Sequence, residues 1–283
     1  MARQIGNTLR SLLPPYQRNI EMSDYEIILI DNGSSKMLDE PMRTMSSNLR
    51  YVYVSPNESS PSPAPALNRG VALAGAPLLC LMIDGARLLT PGVLSWGIRL
   101  LNLSPCAMVE VRGWHLGSKW QPESIMEGYG SEQERQLLER VRWLENGYRL
   151  WEIVAATPQT RSGFSAKTAE SNCIFMSRDL FSEIGGFDER YQSPGGGLVN
   201  LDFFARAVAV ADPVFTILGE GTFHQTHGGA ATGLVKPALE TAFRTWQAES
   251  EKLGCAVAPN YEFILAGHMP AECADWLARN GES

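Results

Sequence analysis

Apolar positions along this chain change period repeatedly, and the changes outline its elements. Ile5, Leu9, Leu12 and Leu13 recur at helical spacing, so the chain opens with an amphipathic helix that Pro14-Pro15 stops. Tyr25 to Ile30 is a β-branched run that reads as a buried strand and ends in the turn cluster Asp31-Asn32-Gly33-Ser34-Ser35. Leu49 to Val54 is a second strand. Pro56 to Pro65, rich in Pro and Ser, is a loop, and Ala66 to Ala74 a short helix closed by Gly75. Leu78 to Ile83 is the most apolar strand and stops abruptly at Asp84. Pro91 sits at the start of a helix over Gly92 to Leu101, and Ala107 to Val111 is another strand. Ser131 to Leu144 reads as a charged surface helix. The strand Asn172 to Met176 leads into a helix, Arg178 to Ile184, ended by Gly185-Gly186. A helix over Asn200 to Val210, a strand over Pro213 to Leu218 and a late amphipathic helix over Val235 to Leu253 complete the pattern.

Alternating strands and helices predict an α/β fold: a mainly parallel, mixed sheet with helices on both faces, a three-layer Rossmann-like arrangement. In such sheets ligands bind outside the carboxyl ends of strands. Two strands end in aspartate there, Asp31 and Asp84.

Composition narrows the function. A net charge of −7 argues against nucleic-acid binding, and 44% hydrophobic with 19% charged residues is ordinary for a globular chain. The longest apolar runs are too short to span a membrane. Met1 to Arg10 lacks the apolar core and cleavage site of a secretory signal. A cytoplasmic protein is expected, peripheral to the inner membrane face if it meets a membrane-associated partner. The five cysteines form no C-x-x-C pair, and Cys80 and Cys173 are expected as small buried hydrophobes in a reducing compartment.

Each chemical candidate has a plain structural alternative. Asp31 accepts hydrogen bonds from a base or ribose, or merely caps its turn. Asp84 faces a metal or a sugar hydroxyl, or starts a loop. His224 and His227, three apart in a Gly-rich segment, suit a divalent metal or a diphosphate, or are polar loop residues. Asp202 is a site carboxylate, or the acidic first turn of a helix paired to Arg206.

The order of these segments resembles that of the inverting family 2 glycosyltransferases of GT-A fold. Asp24 to Ser35 resembles the family's second strand and uridine-binding turn. Ala66 to Ala74 resembles its A-x-N-x-G helix, and Leu81 to Gly92 its D-x-D strand with the Pro-Gly that follows. Gly185 to Glu189 resembles its GGFDE segment, and Leu201 to Arg206 the end of its acceptor helix. The likeness runs from about Thr8 to Gly229. It implies a nucleotide-diphospho-sugar transferase domain over 1–233 and a helical extension over 234–283. It also implies transfer from a nucleoside diphosphate such as UDP to a saccharide or lipid-linked acceptor hydroxyl, with inversion, in bacterial-type polysaccharide or glycoconjugate synthesis. By resemblance Asp31, Asn32, Asn68, Arg69, Asp84 and Arg87 lie at the nucleotide. Asp84, His224 and His227 would hold a divalent cation, Mn or Mg, and Asp202, Asn200 and Asp188 would stand at the catalytic position.

Three departures qualify that picture. The second carboxylate of D-x-D is Ala86, with Arg87 next to it to offset phosphate charge. The family's E-D pair is Val199-Asn200, and Asn cannot act as a base. The family's first buried strand precedes the opening helix and is absent here, which predicts unpaired backbone, an exposed apolar edge and poor nucleotide binding. A catalytically degenerate nucleotide-sugar-binding or interaction protein, or a nucleotidyltransferase or metal-dependent hydrolase on a similar scaffold, are the alternatives. Trp114, Trp120, Tyr129 and Trp143, on the expected acceptor side, would stack on sugars or pack as core.

Overall fold

The computed structural model describes residues 3–228, 234 and 236–280. Its helices are α1 (Ile5–Leu12), α2 (Glu40–Arg43), α3 (Ala64–Leu73), α4 (Val93–Leu101), α5 (Gln121–Met126), α6 (Ser131–Val141), α7 (Arg178–Ile184), α8 (Val199–Val210), α9 (Lys236–Leu253) and α10 (Ala271–Asn280). Its strands are β1 (Ile27–Asn32), β2 (Leu49–Val54), β3 (Leu78–Met82), β4 (Arg87–Leu89), β5 (Met108–Glu110), β6 (Gly113–Leu116), β7 (Val154–Ala155), β8 (Cys173–Ser177), β9 (Val214–Leu218), β10 (Thr222–His224) and β11 (Ile264–Gly267).

Three sheets carry these strands, in the orders β1-β2, β11-β9-β5-β8-β3 and β4-β10-β6-β7. Parallel pairings join β1 to β2, β10 to β6, β11 to β9 and β5 to β9. Antiparallel ones join β4 to β10, β3 to β8, β5 to β8 and β6 to β7. The expected mixed α/β class holds, with the two directions equally represented.

Alternation along the strands builds a layer on each face of the five-stranded sheet. Ile174 and Met176 of β8 point to one side with Leu79 and Leu81 of β3, where they pack under α3, α7 and α8. Cys173 and Phe175 point to the other, with Phe215 and Ile217 of β9, against α4 and Leu12 of α1. Gly97 of α4 permits a close approach: a Cβ there would lie 2.4 Å from the Phe175 ring. A satellite core surrounds Trp114 of β6, whose ring meets Trp151 at 4.5 Å and Trp276 of α10 at 5.9 Å.

The structure corrects several expectations. Asp31 and Asn32 belong to β1, not to the turn after it. The Gly-rich histidine segment contains β10. Segment 234–283 carries two helices and also β11, which extends the five-stranded sheet beside β9. Residues 229–233, which precede the expected domain boundary, lie outside the described residues, as do Gly229 and Val235 from the expected elements. Cys80 is exposed rather than buried, although it is central in the most apolar strand.

Candidate active site

Sheet register assembles the polar centre. β10 pairs with β4 and β6 so that Arg87, His224 and His115 stand side by side on adjacent strands. Asp84 precedes β4 in the turn after β3, and its Oδ1 accepts from the backbone N–H of Ala86 at 2.9 Å. That turn aims Oδ2 at the histidines, 2.8 Å from His224 Nε2 and 3.6 Å from His227 Nε2. The two imidazole Nε2 atoms lie 3.1 Å apart. Donor atoms spaced like this match neighbouring ligands on one cation with bonds of about 2.1 Å. Asp84, His224 and His227 thus supply one O and two N donors, all within 4.8 Å of one another.

Hydrogen bonding fixes the tautomer of His224. Gln121 Nε2 donates to the His224 carbonyl at 2.9 Å, which turns Gln121 Oε1 towards His224 Nδ1 at 2.6 Å. An amide oxygen only accepts, so Nδ1 carries the proton. Burial drives this imidazole towards its neutral form, against the opposing pull of Asp84. Burial pushes Asp84 up, but hydrogen bonds and charge from His224, with His227 and Arg87, hold its carboxyl well below the ordinary range. With Nδ1 protonated, Nε2 makes its 2.8 Å contact with Asp84 either through a second proton, as imidazolium, or through a divalent cation in that proton's place.

Arg87 adds fixed positive charge. Its side chain is buried, its Nε lies 3.8 Å from Asp84 Oδ2, and that Nε has no hydrogen-bond partner. Burial also holds His115 well below the usual histidine range, helped by the charges of His224 and Arg87.

A continuous cavity of about 1420 Å³ opens from this centre along the carboxyl ends of β1 and β3. It brings together Asp31, Asn32, Asp84, Arg87, Asn200, His224 and His227, which were singled out in the sequence. Asp31 accepts from Tyr51 Oη at 2.6 Å and from the Ser34 N–H at 3.2 Å. Burial and that bond push the Tyr51 phenol up to about 12. Asn32 pins the Pro-Ser loop through both ends of its amide, to the Ser60 carbonyl and the Ser60 N–H.

Other expected site residues are spent elsewhere. Asn68 clamps the Gly-Gly-Phe-Asp segment, donating to the Phe187 carbonyl and accepting from the Phe187 N–H. Arg69 is exposed and does not line the cavity. Asp188 pairs with Arg190. Asp202 holds Arg206 at 2.7 Å and accepts from the Ala256 N–H, so its carboxylate ties α8 to the segment after α9. Of the four aromatic candidates, Trp120 lines the cavity. Trp114 and Trp143 are core, and the Tyr129 hydroxyl donates to Glu134.

Glu170 is a carboxylate that sequence reasoning missed. It lines the cavity and accepts from Asn200 Nδ2 at 2.9 Å. Burial raises its pKa, against the opposing effects of Asn200 and Arg87. Nothing in Thr168-Ala-Glu-Ser-Asn announces a site; only folding sets it beside Asn200, thirty positions later.

No protein-family model and no curated protein sequence matches the chain. Solved structures do. S. aureus TarS 1-349 in complex with UDP-GlcNAc superposes with a TM-score of 0.52 at 15% identity, over 90% of this chain and 64% of that one. A second structure of S. aureus TarS 1-349 gives 0.51 at 13% identity, over 90% and 63%. The fold is that of the GT-A glycosyltransferases. The chain spans less than two thirds of the TarS chains it matches. No described helix is long and apolar enough to cross a membrane.

Proposed function

We propose that this protein transfers a sugar from a nucleoside diphosphate, UDP being the first candidate, to an acceptor hydroxyl with inversion. One observation carries the reading. The Nε2 atoms of His224 and His227 converge with the Asp84 carboxylate on the lining of a cavity that also holds Asp31 and Arg87. A divalent cation such as Mn²⁺ or Mg²⁺ on those three donors would neutralise a departing diphosphate. Arg87 adds a charge that does not depend on the cation, in the place where a second carboxylate is lacking. Asp31, oriented by Tyr51, faces the nucleoside end.

Asn200 occupies the position where a base is expected and cannot take a proton. Glu170, hydrogen-bonded to it and raised by burial, is the group we assign to accept the proton of the attacking hydroxyl. Trp120, which lines the cavity, is assigned to the acceptor side. Membership of family 2, a domain spanning 1–233, a cytoplasmic location with a saccharide or lipid-linked acceptor, and a role in polysaccharide or glycoconjugate synthesis belong to the same proposal. The TarS structures with UDP and UDP-GlcNAc support the choice of donor class.

Calorimetric titration with UDP, GDP and dTDP, with and without Mn²⁺, tests the reading. Expected are Mn²⁺-dependent UDP binding and slow sugar-nucleotide hydrolysis, with binding lost in Asp84→Asn. Glu170→Gln should keep UDP affinity while turnover falls by about 10²–10⁴. Binding without turnover in the parent chain would favour the degenerate-binder reading, which rests on Ala86 and Asn200. No diphosphate binding under any condition, in a chain extended upstream of α1, removes both.

A further inference from the structure

Register sets three polar side chains in a row on one face of the four-stranded sheet. His224 of β10 is paired with Arg87 of β4 on one side and with His115 of β6 on the other, and residues paired across strands point to the same face. His224 faces Asp84 and belongs to the donor set described above. Its two neighbours, Arg87 and His115, line the same cavity and are more than nine-tenths buried, yet both carry N–H groups that no described residue accepts.

Arg87 donates no hydrogen bond to any described residue. Asp84 Oδ2 lies 3.8 Å from its Nε, beyond hydrogen-bonding reach. Glu170, whose charge also acts on Arg87, accepts from Asn200 instead. The guanidinium lies over Gly113 of β6, where a Cβ would stand 3.1 Å from Nη1. The missing side chain at Gly113 thus lets Arg87 reach across β10 towards the strand that carries His115. A buried guanidinium with its fork of N–H groups unpaired is costly until an anion takes it up.

The tautomer of His115 is set by the helix that follows it. Gln121 opens α5, so its backbone N–H has no acceptor within the helix and donates to His115 Nδ1 at 3.2 Å. A nitrogen that accepts carries no proton, so the ring proton is on Nε2. Burial keeps the ring neutral. On His224, whose ring centroid is 5.3 Å away, the Gln121 side chain places the proton on Nδ1. One residue therefore holds the two neighbouring imidazoles in opposite senses, through its backbone on one and its amide on the other. His224 turns Nε2 to the cation donor set, and His115 turns an N–H donor to the cavity.

We propose that the His115 Nε2–H and the Arg87 guanidinium form an oxyanion subsite beside the Asp84, His224 and His227 donor set, and that it binds the diphosphate of the sugar donor without needing a cation. The identity of the occupant rests on the sugar-transfer reading above. The donors themselves select a ligand with at least two anionic oxygens, one accepting from His115 and another from Arg87. Arg87 supplies charge. His115 supplies direction, because a neutral ring locked with its proton on Nε2 can only donate from that atom.

Inorganic pyrophosphate, titrated calorimetrically into the full chain in EDTA, is the probe. Binding is expected without a cation, weakened at least about tenfold by Arg87→Gln and by His115→Asn. Gly113→Ala, which displaces Arg87 but keeps its charge, should weaken it too. His115→Asn keeps an amide oxygen where Nδ1 accepts from Gln121 but has no distal N–H, whereas His115→Gln carries an N–H at the reach of Nε2 and no acceptor at Nδ1. A donor role predicts loss in the Asn variant and near-parent affinity in the Gln variant. The reverse order would make His115 a mere support for α5 and overturn the proposal. Long-range proton–nitrogen NMR spectra of the four histidines read the tautomers with no ligand present, and His115 protonated on Nδ1 also overturns it. So does a cation-free chain with no affinity for pyrophosphate. UDP separates this assignment from the reading it rests on. Pyrophosphate binding without UDP binding removes sugar transfer and leaves the subsite, while Mn²⁺-dependent UDP binding that His115→Asn does not weaken removes the subsite and leaves sugar transfer.

Discussion

Gln121 grips His224 at two points, with its Oε1 2.6 Å from the ring Nδ1 and its Nε2 2.9 Å from the main-chain carbonyl. The second contact orients the first, so a residue outside the donor set decides which ring nitrogen is free. Gln121→Ala should therefore weaken Mn²⁺ binding by about 10–100-fold without removing a donor atom. Direct metal titration measures this, and circular dichroism confirms the fold. Unchanged metal affinity would mean that His224 needs no orienting partner.

Glu134 on α6 accepts from the Thr226 N–H at 2.8 Å and so anchors the segment that carries His227. Burial, the largest effect on it, raises its pKa from 4.5 to about 7. A raised folded-state pKa favours the protonated form in the native state. Its contribution is complete below about pH 4.5 and is lost as the pH climbs through about 7. Over that window stability should decline by roughly 3 kcal/mol from this group. Denaturant melts at pH 5 and pH 7.5 should show the decline, and Glu134→Gln should flatten the difference. An equal slope in the variant would assign the pH dependence to another group.

Trp276 ties the last helix to the satellite core. Its Nε1 donates to the Val154 carbonyl at 3.0 Å, and its ring lies 5.6 Å from that of Trp151. Trp276→Ala leaves a cavity and an unsatisfied carbonyl, at a cost of about 3–5 kcal/mol. A fall in Tm of roughly 10 °C is expected by differential scanning calorimetry. A much smaller shift would show α10 to be a dispensable appendage.

Gly97→Ala tests how closely α4 rests on β8. The added methyl would meet the Phe175 ring at 2.4–2.6 Å, too short for rigid backbone to tolerate. The strain should cost about 1–3 kcal/mol, read from the denaturant midpoint. Phe175→Leu in the same chain should recover part of it, a coupling that a double-mutant cycle isolates.

The sequence by itself determined the layers. The alternation of Cys173, Ile174, Phe175 and Met176 sends side chains to opposite faces, and the helical spacing of Ile5, Leu9 and Leu12 defines an inward stripe. These are local periodicities, set by the geometry of strand and helix, so they are visible in a short window of sequence. Asp31 and Asp84 were likewise marked by standing where apolar runs stop.

Tertiary structure alone decided which polar residues meet. Thr222-Phe-His is too short and too closely flanked by glycine to announce a strand, and its partners come from residues 87–89 and 113–116. That long-range register sets Arg87, His224 and His115 in a row. In the same way a hydrogen bond across the cavity joins Asn200 to Glu170, while Asn68 and Asp202 are drawn into structural contacts. Pairing between distant segments minimises a free energy summed over the whole chain, and a local pattern carries no record of it.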